Sequence, residues 1–169
     1  MPDSRLEIIP FKEEFAPYFY ELNVEWLKKY FYVEPYDELV LSNPRSYIID
    51  QGGFIFFGRY QSEIVGVVSL INQGSFFELS KMAVKPEFQG LKFGLQLMEF
   101  TIEFAKSKGW KNLILYSNRK LVPAIRLYSK LGFKEIPLET DVNYERADIK
   151  MELSLNLSTK RNQSKTSAA

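Results

Sequence analysis

Six residues, Gln89-Gly90-Leu91-Lys92-Phe93-Gly94, separate a run that stops at Pro86 from a long apolar-periodic stretch continuing through Leu95, Leu97 and Met98. A strand feeding a glycine-bearing loop at a helix start makes an anion cradle. The first backbone N–H groups of a helix have no partner within it, and the macrodipole adds partial positive charge there. A phosphate or pyrophosphate is the guest such a loop suits. The rest of the composition narrows the chemistry further. The 169 residues contain neither His nor Cys. Imidazole acid–base work, Ser-His-Asp hydrolysis, cysteine nucleophiles, thiolate or His metal sites and disulfides are removed together. A reaction run by this chain must use carboxylates, Tyr, Lys, Ser or Thr, backbone dipoles or a borrowed cofactor, and no metal site is expected.

These residues need a scaffold, and the bulk properties allow one. With 46% hydrophobic residues, 14 Phe and 10 Tyr, the chain has material for a single core. The formal charge of +1 gives no broad basic field for nucleic acid. No uninterrupted apolar run reaches membrane-spanning length, and Met1 to Arg5 has no apolar signal region, so no membrane partner and a cytoplasmic location are expected. One domain over residues 1–155 is expected, with residues 156–169, rich in Ser, Thr, Lys, Asn and Gln, as a disordered polar tail.

Periodicity gives the elements. Arg5 to Pro10 reads as a strand. Phe15, Tyr18, Phe19, Leu22 and Trp26 recur at helical spacing, and Glu34-Pro35-Tyr36-Asp37 opens a second short helix that ends at Asn43-Pro44. Gly53 to Tyr60, Ile64 to Ile71 and Phe76 to Val84 read as strands joined by hairpin-length separators, hence as antiparallel neighbours. A long helix is expected over Gly90 to Ser107, with Leu91, Leu95, Met98, Ile102 and Ala105 in one apolar stripe and its Phe residues in the core. Leu113 to Tyr116 is a fully covered strand, and Pro123 opens a helix that Gly132 ends. Phe133 begins a strand, and the last strand alternates from Ala147 to Leu155. The order β-α-α-β-β-β-α-β-α-β-β describes an α/β fold of the α+β kind: a mixed sheet with helices on its faces.

Three blocks then carry a resemblance: Glu78 to Pro86, Gln89 to Gly94, and Ser117-Asn118 followed by Ala124-Ile125-Arg126-Leu127-Tyr128-Ser129-Lys130-Leu131-Gly132-Phe133. Together they resemble the GNAT superfamily of N-acetyltransferases, over about residues 5 to 155. The resemblance implies a mostly antiparallel sheet with one splayed parallel pair, here Phe76–Lys85 and Lys111–Ser117, and acetyl-coenzyme A as co-substrate in the opening between them. It implies that Met82, Ala83 and Val84 hold the pantetheine arm. Gln89, Gly90, Leu91, Lys92, Phe93 and Gly94 would hold the pyrophosphate, with Asn118, Ala124 and Tyr128 completing the cofactor site. Unpaired N–H groups on a splayed strand suit a thioester oxygen. Lys92 departs from the family pattern, which usually has a middle glycine there. Its side chain could obstruct a phosphate or reach it as a point charge, while Gly90 supplies a permissive backbone.

The resemblance also implies chemical roles. Tyr128 matches the family tyrosine near the thioester sulfur and is the candidate acid, with helix packing as its alternative role. Glu78 is the candidate base; its alternatives are a solvated strand position or an ion pair with Lys81 or Arg59. For the acceptor, Trp26, Tyr30, Phe31, Glu34 and Tyr36 form an aromatic cluster with a carboxylate, suited to a cationic or aromatic amine or simply to core packing. Tyr144-x-Arg146 could place a guanidinium near a carboxylate-bearing acceptor, or be a surface pair. The expected activity is acetylation of a small-molecule primary amine or amino acid in a ternary complex. Acetylation of a protein Lys or N-terminus, and a non-catalytic coenzyme A sensor, are the alternatives. The resemblance is also compatible with a homodimer.

Overall fold

The structure is a computed structural model that describes residues 4–155. The expected disordered tail lies outside the described residues. In chain order the elements are β1 (Glu7–Pro10), α1 (Ala16–Tyr30), α2 (Pro35–Ser42), β2 (Phe54–Tyr60), β3 (Glu63–Asn72), β4 (Phe77–Val84), α3 (Phe93–Ser107), β5 (Asn112–Ser117), α4 (Val122–Lys130), β6 (Lys134–Ile136) and β7 (Ile149–Ser154). That order matches the periodicity. The strands form one sheet, β1-β2-β3-β4-β5-β7-β6, antiparallel except where β4 meets β5.

Helices cover both faces of the sheet, and each face has its own core. On one, Phe93, Leu97, Met98 and Ala105 of α3 are buried against Val65, Val68 and Leu70 of β3 and Leu113 and Leu115 of β5. On the other, Phe19, Leu22 and Leu27 of α1 and Val40 and Leu41 of α2 meet Ile55 and Phe57 of β2 and Val67 of β3. Strand alternation divides β2 between them: Phe56 packs edge-on against Phe100 and Phe104 of α3, while Phe57 faces α1. The Phe residues of α3 are therefore core, as their spacing implies. Each fully buried side chain of this size contributes about 1.5–3 kcal/mol.

Two local readings need correction. α3 begins at Phe93 rather than Gly90, because Gly90 (φ +91°) and Lys92 (φ +61°) both adopt the left-handed region and no helix continues through them. Leu91 accordingly leaves the apolar stripe and is 40% exposed. Past Asn43-Pro44 the chain re-enters a π-helical turn, Arg45–Ile49, where the sequence showed only a stop. Among the described residues no helix is long and apolar enough to cross a membrane.

Candidate active site

The site is built at a break in the sheet. β4 and β5 share a single parallel register pair, Glu78 with Ile114. β4 otherwise follows β3, whereas β5 pairs with β7 from Asn112↔Ser154 to Ser117↔Ile149. The two strands therefore part beyond Glu78, as the expected V requires. A bulge sharpens the opening. Between the pairs Ser69↔Ser80 and Val67↔Ala83, both Lys81 and Met82 stand opposite Val68, and Lys81 takes φ +52°. The Ser69 hydroxyl donates to the Ser80 carbonyl at 2.7 Å and fixes the start of the bulge.

A cavity of about 110 Å³ occupies the opening. Glu78, Ser80, Lys81 and Met82 of β4 form one wall and Leu115, Tyr116 and Ser117 of β5 the other. Tyr128 of α4 flanks it, Trp26 and Phe31 reach it from α1 and its end, and Tyr144 and Arg146 come from the loop before β7. An adjoining cavity of about 140 Å³ shares Glu78, Tyr116 and Tyr144 and adds Gln73, Glu139 and Asp141.

Glu78 is 6% exposed and accepts a hydrogen bond from Gln73 Nε2 at 2.8 Å. Burial lifts its carboxyl above the ordinary value, against the opposing pull of Gln73 and Lys81. It is no solvated strand carboxylate. Nor does it form either expected ion pair: Arg59 is bonded to Glu7 at 2.7 Å and Lys81 to Asp37 at 2.9 Å. Tyr128 is half-buried, its ring edge-on to Phe133 at 6.2 Å. Burial raises its hydroxyl above the usual tyrosine value, opposed by Ser117, so it stays protonated and able to donate.

A charge cluster absent from the sequence reading closes the opposite side. Asp37, fully buried in the first turn of α2, accepts from the Glu34 N–H (2.9 Å), Lys81 Nζ (2.9 Å) and both Arg146 terminal nitrogens (2.7 and 2.9 Å). Glu34 accepts from Arg146 at 2.9 Å and from the Glu145 N–H at 2.9 Å. Burial tends to raise the Asp37 carboxyl, but hydrogen bonds from Arg146 and Lys81 outweigh it and hold the group below its ordinary value. Lys81 Nζ also lies 2.6 Å from the Tyr144 hydroxyl, and burial lowers the lysine from its ordinary value against the pull of Asp37.

The acceptor candidates thus divide. Trp26, Phe31, Tyr144 and Arg146 line the main cavity. Tyr30 is not part of its lining and stacks at a tilt on Trp26 at 5.2 Å, while Tyr36 faces Tyr144 from a separate hollow. Glu34 lies behind the wall, and it and Arg146 are engaged with each other rather than free for a ligand's charge.

The glycine loop, residues 89–94, is part of neither cavity's lining. Gln89, Gly90, Leu91 and Lys92 are exposed, and a Cβ placed at Gly90 or Gly94 would meet nothing within 4 Å. The first bond of α3 in this region runs from the Gln96 N–H to the Lys92 carbonyl at 3.1 Å, so the N–H groups of Phe93, Gly94 and Leu95 have no acceptor a turn earlier. No side chain caps α3, and its first turn has no acidic residue. An open, uncapped helix end fits a pyrophosphate. Lys92 supplies the left-handed turn itself, with its side chain outward. Phe93 is a core ring, so it has only backbone to offer. Met82 lines the cavity, whereas Ala83 and Val84 pair along one edge with Val67 and Gly66. Asn118 lines the cavity but spends its side chain on the Arg146 carbonyl (2.7 Å) and the Lys120 N–H (2.9 Å), and Ala124 is half-buried on α4.

Comparison with known proteins agrees with this geometry. The model of the acetyltransferase (GNAT) family matches residues 12–133. The chain is 37% identical over 57 residues to an uncharacterised N-acetyltransferase of Schizosaccharomyces pombe, a match covering 34% of this chain and 35% of that one. The chain spans about a fifth to about two fifths of the length of that relative and of two others it matches. Among solved structures, a GNAT-family acetyltransferase of Staphylococcus aureus superposes with TM-score 0.78 at 21% identity, covering 89% of this chain and 99% of that one. An N-acetyltransferase of Thermoplasma acidophilum, solved in complex with coenzyme A, gives 0.69 at 22% identity, covering 89% and 99%. At such identities the likeness is one of fold.

Proposed function

The chain belongs to the GNAT family of acetyltransferases, and we propose that it transfers the acetyl group of acetyl-coenzyme A directly to a primary amine bound beside it. The observation that carries this reading is the opening between β4 and β5, with Glu78 at its closed end and Tyr128 on its flank. The uncapped start of α3 suits the pyrophosphate, and Met82 with the bulged backbone beside it suits the pantetheine arm and the thioester.

A primary amine with pKa near 10 is mostly protonated at neutral pH and must lose a proton before it attacks. Glu78 takes that proton, directly or through a water. The amine nitrogen bonds to the thioester carbonyl carbon, the C–S bond breaks, and the electron pair leaves with sulfur. The Tyr128 hydroxyl donates its proton to that thiolate, and the surplus proton on the newly bonded nitrogen passes to the Tyr128 oxygen, directly or through water, which leaves a neutral amide, a thiol and a neutral tyrosine. The negative oxygen formed on the way is stabilised by backbone N–H groups that the splayed strand does not pair. Lys92 is no obstacle to this reading, since its side chain is exposed and the loop is open at both glycines.

Two measurements test the reading. Acetyl-coenzyme A should raise the melting temperature, and thiol release should then depend on an added amine. No thermal shift at millimolar acetyl-coenzyme A would sink it, and a shift without amine-dependent thiol release would leave a binding protein only.

A further inference from the structure

We infer that the acceptor is a primary amine carried on an aromatic body with no carboxylate, held by the rings of Trp26, Phe31 and Tyr144. This rests on the acetyl-transfer reading and deepens it to a substrate class. The argument is one of charge already spent. The charged side chains lining the main cavity are Glu78, Lys81 and Arg146. Lys81 and Arg146 are bound to Asp37, and Arg146 also to Glu34, two cations against two carboxylates in a cluster that is formally neutral. Glu78 is bonded to Gln73. Among the described residues no buried side-chain nitrogen or oxygen lacks a partner. An acceptor carboxylate would have to draw Arg146 away from two buried carboxylates and leave Lys81 as the one cation of the cluster against both.

What remains for recognition is ring surface. Trp26 and Phe31 lie 5.8 Å apart between centroids, with Lys120 Nζ 4.0 Å from the Phe31 centroid, and the Tyr144 ring has Lys81 Nζ at 4.1 Å and the Arg146 guanidinium at 4.3 Å. Such walls hold an aromatic body by stacking, and the cations already at Tyr144 and Phe31 leave the ammonium to the Glu78 side of the cavity. In the adjoining cavity Glu139 is bonded to Lys150 at 2.9 Å and to the Tyr116 hydroxyl. Asp141 is the acidic group there that a second ammonium would use, so a diamine belongs in the test.

The test compares phenethylamine, phenylalanine and 1,4-diaminobutane as acceptors with saturating acetyl-coenzyme A, reading thiol release. Phenethylamine should exceed each of the others in kcat/KM by at least ~10-fold, the lower end of what pocket contacts discriminate, since phenylalanine brings a carboxylate and the diamine lacks a ring. Equal or better use of phenylalanine or the diamine overturns the inference, as does turnover of none of the three while acetyl-coenzyme A still raises Tm. Failure of acetyl-coenzyme A to raise Tm is the separate failure of the underlying reading, and removes the inference with it. Trp26→Ala should raise KM for phenethylamine ~5-fold or more with the Tm shift by acetyl-coenzyme A retained; an unchanged KM overturns the ring-wall assignment.

Discussion

At the residue scale, the proposed base Glu78 and the proposed acid Tyr128 both sit in environments that push them toward protonation. For Tyr128 this favours its use, since burial keeps the hydroxyl as a donor. Tyr128→Phe should lower kcat by roughly 10²-fold, the lower end for a positioned acid, while the Tm shift produced by acetyl-coenzyme A stays within error. Unchanged turnover in steady-state assays would return Tyr128 to packing alone. For Glu78 burial works the other way, because a base must be ionised. Its folded pKa is raised above 4.5, so the acid limb of the pH–rate profile should lie above that value and disappear in Glu78→Gln, leaving a lower, flatter profile. The same shift links to stability. A carboxyl raised on folding contributes fully below its unfolded pKa and loses that contribution as pH rises through the folded one. Gln does not ionise, so Glu78→Gln should match the parent Tm near pH 4 and exceed it at pH 8. A parallel pair of Tm–pH curves would count against the buried, desolvated state of Glu78.

At the element scale, Asp37 joins three pieces distant in sequence: α2, the bulge of β4 and the loop before β7. Asp37→Ala would leave Lys81 and Arg146 facing each other's charge with one carboxylate gone, and should cost about 3–5 kcal/mol in urea unfolding. The parent should lose this contribution in acid: the folded pKa lies below 3.8, so the stabilisation is full above 3.8 and falls away as pH drops through the folded value. An Asp37→Ala variant with parental stability would mean the cluster is neutral in effect. Here sequence reading reached its limit. The helices and strands were legible because burial imposes periods of 3.6 and 2.0 on Phe19, Leu22, Ile149 and Met151 alike. The glycine loop was legible because Gly90 marks a turn. Asp37 read only as a helix-start residue, and nothing local relates it to Arg146, 109 positions away. Lys81 and Lys92 take left-handed backbone angles that sequence assigns to glycine, which is why the bulge went unseen and the start of α3 was misplaced.

At the scale of the whole molecule, the sheet behaves as two blocks, β1-β2-β3-β4 and β5-β7-β6, joined by one register pair. Struts reinforce that seam on the α1 side. Lys81 and Arg146 share Asp37, Lys120 Nζ donates to the Tyr30 carbonyl at 2.8 Å and sits 4.0 Å from the centroid of the Phe31 ring, and the Tyr32 hydroxyl donates to Glu145 at 2.7 Å. A molecule lodged in the opening would contact both blocks at the place where the backbone contributes least, so its binding energy should appear as seam stability. At a hundredfold excess over Kd, acetyl-coenzyme A should add about 2.7 kcal/mol, which for a domain of this size is roughly 5–10 °C in Tm. Hydrogen exchange should localise the effect. Amides of β4 beyond Glu78, of β5 and of the first turn of α3 should gain protection, while those of β1 and β2, already inside one block, should change little. Uniform protection across the sheet, or protection confined to α1 and α2, would contradict binding in the seam and place the ligand elsewhere on the fold.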